Sequence, residues 1–174
     1  SRTGSVPISK HGPTTGGSWS RHGVPGNVDL DAIADRVVKK YGFEPGFPED
    51  AKRQLMGLTA PAPIPSGVQD LRHLLWSSVD NATSLDLDQA EVAEQLPNDC
   101  IRLLVAIADV DALVSKRTPL DVHAGANATS VYTGIEVFPM LPEKLSTGLT
   151  SLNENEDRLA LVIETVVDAQ GEVQ

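Results

Sequence analysis

Cysteine is all but missing: of 174 residues only Cys100 carries a thiol. No disulfide can form within the chain, and a reducing, cytoplasmic compartment is the simplest expectation. Cys100 precedes the apolar run Ile101–Val105, so it reads as a buried strand-end residue rather than a nucleophile. Aromatics are scarce at 4%. Basic residues are outnumbered, 14 Lys and Arg against 24 Asp and Glu, for a formal net charge of -10. That excludes a broad basic nucleic-acid-binding face, because such faces neutralise phosphates with clustered Lys and Arg. It does not exclude a nuclease centre, which is itself acidic, although basic surface would then have to come from elsewhere. No apolar run approaches the roughly 20 residues that a spanning helix requires, and no secretory signal is read, so no membrane partner is expected.

The chain divides by composition. Residues 1–26 are rich in Gly, Ser, Pro and Thr and predict an irregular arm. Residues 27–60 predict a small helical domain. Leu30, Ile33, Ala34, Val37, Val38 and Tyr41 recur at helical spacing, with Asp29 to cap the start and Gly42 to end it. A second helix is expected from Glu49 to Met56, stopping at Gly57. The prolines of Pro61–Pro65 enforce extended backbone and mark a boundary. Beyond it, strands are expected. Ala90–Leu96 and the apolar Ile101–Ala108 form a hairpin about Pro97-Asn98-Asp99, with the second strand buried. A short helix begins at Thr118-Pro119, and Leu159–Val167 is a further strand. The chain stops three residues into the expected return strand, so residues 61–174 read as the first part of a longer domain.

The chemistry concentrates at Asp80–Gln89. Asp80, Asp86 and Asp88 fall within nine residues, and no Lys or Arg occurs between Asp80 and Cys100. At ~5 Å and an effective dielectric of about 20, each carboxylate pair costs roughly 3 kcal/mol. A cation offsets that cost. Mg²⁺ takes oxygen ligands and keeps room for water and substrate phosphate, which points to metal-assisted phosphoryl chemistry. Composition alone leaves open a merely solvated acidic loop. An EF-hand does not fit, since the sixth position from Asp80 is Leu85 rather than Gly. If Asp86-Leu87-Asp88 is extended, its two carboxylates share one face about 6.6 Å apart at Cα, with Leu85 and Leu87 pointing into the core. Asn81–Ser84 would then turn Asp80 back to the same site.

Several motifs follow one another in a telling order. Asp70-Leu71-Arg72-His73-Leu74 precedes Asp80 and Asp86-Leu87-Asp88. Val105-Ala106-Ile107-Ala108-Asp109-Val110, Pro119-Leu120-Asp121 and Ser130-Val131-Tyr132 come next. Pro139-Met140-Leu141-Pro142-Glu143-Lys144-Leu145-Ser146 and Leu149-Thr150-Ser151-Leu152 close the series. From Asp70 to Gln174 the chain resembles the start of the catalytic domain of the RNB family, the RNase II/RNase R-type exoribonucleases.

The resemblance implies 3′-to-5′ degradation of single-stranded RNA to nucleoside 5′-monophosphates by Mg²⁺-dependent hydrolysis. It assigns Asp80, Asp86 and Asp88 as catalytic metal ligands. It places Gln89 at the fourth acidic position, where an amide replaces a carboxylate. It makes Tyr132 the aromatic that stacks on a base, and it puts Asn127 where family members often carry Arg. The fold expected is α+β: a small N-terminal helical element, then the first, incomplete part of a mixed α/β RNB-type catalytic domain. Expected partners are single-stranded RNA, the remainder of the catalytic domain and a C-terminal OB-type domain. A catalytically impaired RNA-binding or regulatory module is the alternative that Gln89 and Asn127 suggest.

Overall fold

The computed structural model describes residues 29–81 and 84–174, so the arm expected at 1–26 lies outside the described residues. Helix α1 spans Leu30–Lys40. The Asp29 carboxylate accepts from the Ala32 N–H at 2.9 Å, satisfying one of the donors that a helix start leaves unpaired. Asp31 in the first turn and Lys39 and Lys40 in the last complement the helix dipole. Gly42, at φ +88, takes the left-handed conformation that ends the helix. Helix α2 spans Glu49–Gly57 behind Pro48.

The central sheet is antiparallel, in the order β1 (Gln89–Gln95), β2 (Ile101–Ala108), β5 (Ala160–Val167). The turn between β1 and β2 places Asn98 and Asp99 at positive φ, which short polar side chains tolerate better than most. Arg102 on β2 fixes both seams. It donates to Glu94 on β1 at 2.9 Å and to Glu164 on β5 at 2.8 Å. One sheet face is covered, with Ala90, Val92, Leu104 and Ala106 buried. The opposite face keeps Ile101, Ile107, Leu161 and Ile163 exposed. The expectation of a fully buried β2 is corrected accordingly. It alternates, because only one face of this antiparallel sheet is packed. Cys100 is half-buried rather than buried.

Helix α3 spans Pro119–Asn127, and a two-residue ladder joins β3 (Val131–Tyr132) to β4 (Val137–Phe138). A π-helix covers Lys144–Leu149.

The N-terminal helices pack on these later elements through two apolar clusters. Ala51 of α2 is fully buried with Val114, Leu120 and Leu145. Ala34 and Val38 of α1 close over Phe138. Only that edge of the α1 stripe docks, leaving Leu30, Ile33, Val37 and Tyr41 exposed. Polar contacts reinforce the join. The Gln54 side-chain oxygen accepts from the Leu120 N–H at 2.9 Å and so caps the start of α3. Asn127, 5% exposed, accepts from the Glu44 N–H at 2.8 Å and donates to the Glu44 carbonyl at 3.0 Å.

Candidate nuclease site

The acidic segment enters β1 from a stretch without ladder partners of its own. Its backbone is held from the far side of the sequence. The Leu87 N–H donates to Ser151 Oγ at 3.0 Å, and the Leu152 N–H donates to the Leu87 carbonyl at 2.7 Å. The Asp88 carbonyl then accepts from the Ala108 N–H at 2.9 Å, at the end of β2. Leu87 is half-buried while Asp86 and Asp88 are exposed, so the two carboxylates fall on the solvent side together. Leu85 is 65% exposed, which corrects the expectation that it anchors the core. The segment is pinned at Leu87 instead.

Tyr132 reaches the same place from β3. Its hairpin is closed by Thr133 Oγ1, which accepts from the Glu136 N–H at 2.8 Å, and by the Tyr132–Val137 pairing. The Tyr132 ring is 68% exposed, so it is not a core residue. Its hydroxyl lies 3.4 Å from Asp86 Oδ2, a long contact for an O–H donor. Asp86, Asp88 and Tyr132 line one cleft of about 370 Å³ with Ser130, Ser146 and Ser151. An adjoining pocket of about 340 Å³ shares Asp86, Ser130, Tyr132 and Ser146 and extends the groove to Glu143 and Thr147. Among the described residues no Lys or Arg lines either pocket, in keeping with the acidic composition.

Two of the expected ligands are not brought to this groove. Asp80 is exposed and does not line it. Among the described residues no three of His, Cys, Asp and Glu lie together as a metal-binding group. The three-carboxylate convergence expected of Asp80, Asp86 and Asp88 is therefore absent from this structure. The chain is fixed at Ser77, paired with Glu91, and again at Leu87, while sequence spacing alone does not set the path between them. Gln89 opens β1, and strand alternation turns it away from Asp88. Its amide donates to Glu91 at 3.0 Å.

Ser130, Glu143, Ser146 and Thr147 are groove residues to which sequence reading gave no role. Ser130, Glu143 and Ser146 were present only as members of the ordered motifs, and Thr147 lies between two of them. Asn127, expected as a lost cation, is a buried clamp in the fold.

The upstream motif Asp70–Leu74 is tied across the chain as well. Arg72 donates to Asp70 at 2.7 Å and to Asp157 at 2.8 Å. The Arg72 hydrogen bonds hold the Asp70 carboxyl well below the usual carboxylate range.

The RNB domain profile matches residues 68–174. This chain belongs to the RNB family. Ribonuclease R of Escherichia coli (strain K12) is 41% identical over 147 residues, covering 83% of this chain and 18% of the relative. Ribonuclease R of Thermotoga maritima is 37% identical over 150 residues, covering 84% of this chain and 21% of the relative. The RNB chain thus spans about a fifth of the length of these curated relatives. Among solved structures, Mycoplasma genitalium RNase R in complex with ribose-methylated single-stranded RNA superposes at TM-score 0.74 with 31% identity, over 86% of this chain and 24% of that one. The same enzyme in complex with double-stranded RNA gives 0.72 with 30% identity, over 86% and 27%. The α+β fold and the RNase II/R-type resemblance expected from the motifs are both shown by these matches.

Proposed function

We propose that this chain supplies part of the catalytic domain of a 3′-to-5′ exoribonuclease that hydrolyses single-stranded RNA to nucleoside 5′-monophosphates. The observation that supports it is the meeting of Asp86, Asp88 and Tyr132 in one open groove, from segments over 40 residues apart in sequence. Two exposed carboxylates on one wall are hard oxygen donors, and Mg²⁺ is commonly held by one or two carboxylates plus water and substrate phosphate. Bound there, Mg²⁺ would neutralise charge on the scissile phosphate and on the leaving 3′-oxygen. Asp86 and Asp88 hold the cation in this reading. Asp80 is retained as a third ligand on the spacing of the motif alone. Gln89 could offer only its side-chain oxygen and brings no charge. Tyr132 presents an open ring face to a base, an interaction that accepts any sequence.

Single-stranded RNA, the rest of the catalytic domain and a C-terminal OB-type domain are the proposed partners, in the cytoplasm. The chain by itself is expected to be inactive, since among the described residues no Lys or Arg lines the groove to stabilise developing charge. The alternative of a catalytically impaired module is not favoured: Asn127, one of its two motives, is occupied in the fold.

The deciding experiment uses the full-length protein with Mg²⁺ and 3′-labelled single-stranded RNA. Mg²⁺-dependent nucleotide release is expected, and Asp88→Asn should abolish it with RNA binding nearly intact. No release from the intact protein ends the proposal. Equal loss of binding and thermal stability in Asp88→Asn assigns that residue to the fold instead.

A further inference from the structure

Ser151 is 1% exposed, yet its hydroxyl reaches the backbone between the two groove carboxylates. One lone pair accepts from the Leu87 N–H at 3.0 Å. The single hydroxyl proton has two acceptors within reach, Asn153 Oδ1 at 2.9 Å and the Leu85 carbonyl at 3.2 Å. The orientation of Asn153 is set by its other end, since its amide nitrogen donates to the Thr147 carbonyl at 3.2 Å. Thr147 lies in the π-helix and lines the adjoining pocket with Asp86. A chain of hydrogen bonds therefore links the acidic segment, through Ser151 and Asn153, to the π-helix that lines the same groove. The Leu152 N–H closes the remaining backbone group of Leu87 at 2.7 Å. Leu87 is thus clamped at both its N–H and its carbonyl, and the alternation of Asp86 and Asp88 about it is fixed.

We propose that Ser151, supported by Asn153, is a positioning residue for the Asp86–Asp88 pair, setting the spacing at which these carboxylates meet a divalent cation. The inference rests on the reading of Asp86 and Asp88 as cation ligands. A serine serving only to fill the core would need no acceptor contact between two exposed acids. It would also need no relay to a π-helix, a geometry that recurs at functional sites. Outer groups that orient metal ligands change affinity by about 10- to 100-fold when removed.

Tb³⁺, a hard oxygen-seeking ion, serves as the probe. Its luminescence is excited through tyrosine, with Tyr132 3.4 Å from Asp86 as the antenna, and Mg²⁺ is the competitor. Ser151→Ala should raise the Tb³⁺ midpoint about tenfold or more at unchanged saturating signal. An unmoved midpoint, with or without a lower amplitude, overturns the inference, because a purely structural serine alters the folded fraction and not the affinity of folded molecules. Should Ser151→Ala not fold, Asn153→Ala takes its place, and it must raise the midpoint in the same direction or the inference is lost. Asp88→Asn separates the two levels. If it leaves Tb³⁺ binding intact, the cation reading itself fails. If it removes binding while Ser151→Ala changes nothing, only the positioning role fails.

Discussion

Replacing Tyr132 tests whether its ring face, rather than its hydroxyl, engages RNA. The ring is 68% exposed at the groove, and its substitution removes no core contact, so Tyr132→Ala should leave the fold intact. Stacking of one base on an aromatic is worth about 1–3 kcal/mol by alanine substitution. At 1.4 kcal/mol per factor of ten, this is a loss of about 5- to 150-fold in affinity. The hydroxyl is a separate matter. At 3.4 Å its contact with Asp86 is longer than an O–H donor normally makes, so Tyr132→Phe should cost under about 0.5 kcal/mol, roughly twofold. The assay is fluorescence anisotropy of a labelled single-stranded RNA against full-length protein, at fixed salt and without divalent ion. Wild-type affinity in Tyr132→Ala refutes the stacking argument. A fall in Tyr132→Phe as deep as in Tyr132→Ala refutes it differently, by assigning the effect to the hydroxyl. Turnover supplies a second reading: Tyr132→Ala should change the length of the end product more than the rate of bond cleavage.

Asn127→Leu should destabilise the chain by roughly 2–3 kcal/mol, since two backbone groups of Glu44 lose their partners at about 1–3 kcal/mol each and Glu44 retains some access to water. That corresponds to a thermal midpoint lower by about 4–12 °C, read by circular dichroism; a change below about 1 °C would show that the clamp contributes nothing. Acid should destabilise the fold through carboxyls held low. Asp70 is lowered by Arg72, Glu164 by Arg102, and Asp168 by the Glu172 N–H. A depressed pKa means that the unfolded chain binds more protons. The contribution is therefore complete above about pH 5 and is lost as pH falls through the unfolded and then the folded values. Thermal midpoints measured from about pH 7 to about pH 3 should fall at the acid end, and Arg72→Gln should show a shallower fall. A pH-independent midpoint, or the same acid fall in Arg72→Gln, contradicts this.

Much of the fold was legible because local chemistry agreed with it. Asp29 and Gly42 bracket α1 as caps do, and Asn98 and Asp99 accept the left-handed turn that closes the first hairpin. What was illegible lies in contacts between distant residues. Nothing local says that the apolar stripe of α1 docks by Ala34 and Val38 and leaves Tyr41 in water. That choice is made by Phe138, a hundred residues later. Nor does the sequence announce that Gln54 caps α3 or that Asn127 holds Glu44, 83 residues away. A two-residue ladder such as β3–β4 is too short to show an alternation. The site divides along the same line. Asp86 and Asp88 sit one residue apart, so extended backbone suffices to align them. Asp80 depends on the course of a polar loop whose periodicity carries no information. The anchor of the acidic segment, Ser151, appeared in the sequence only as one member of a motif.

Arg102 carries a lesson about uniqueness of pairing. Its guanidinium forks to an acid on each flank, one eight residues away and the other 62. Sliding either outer strand by a single residue would swing that strand's glutamate to the reverse side of the sheet. A cation with only 29% of its side chain in contact with solvent would then lose one of its two counter-charges. Misaligned sheets are thereby penalised electrostatically as well as through their apolar faces, and the strand that delivers Asp88 to the groove inherits that alignment.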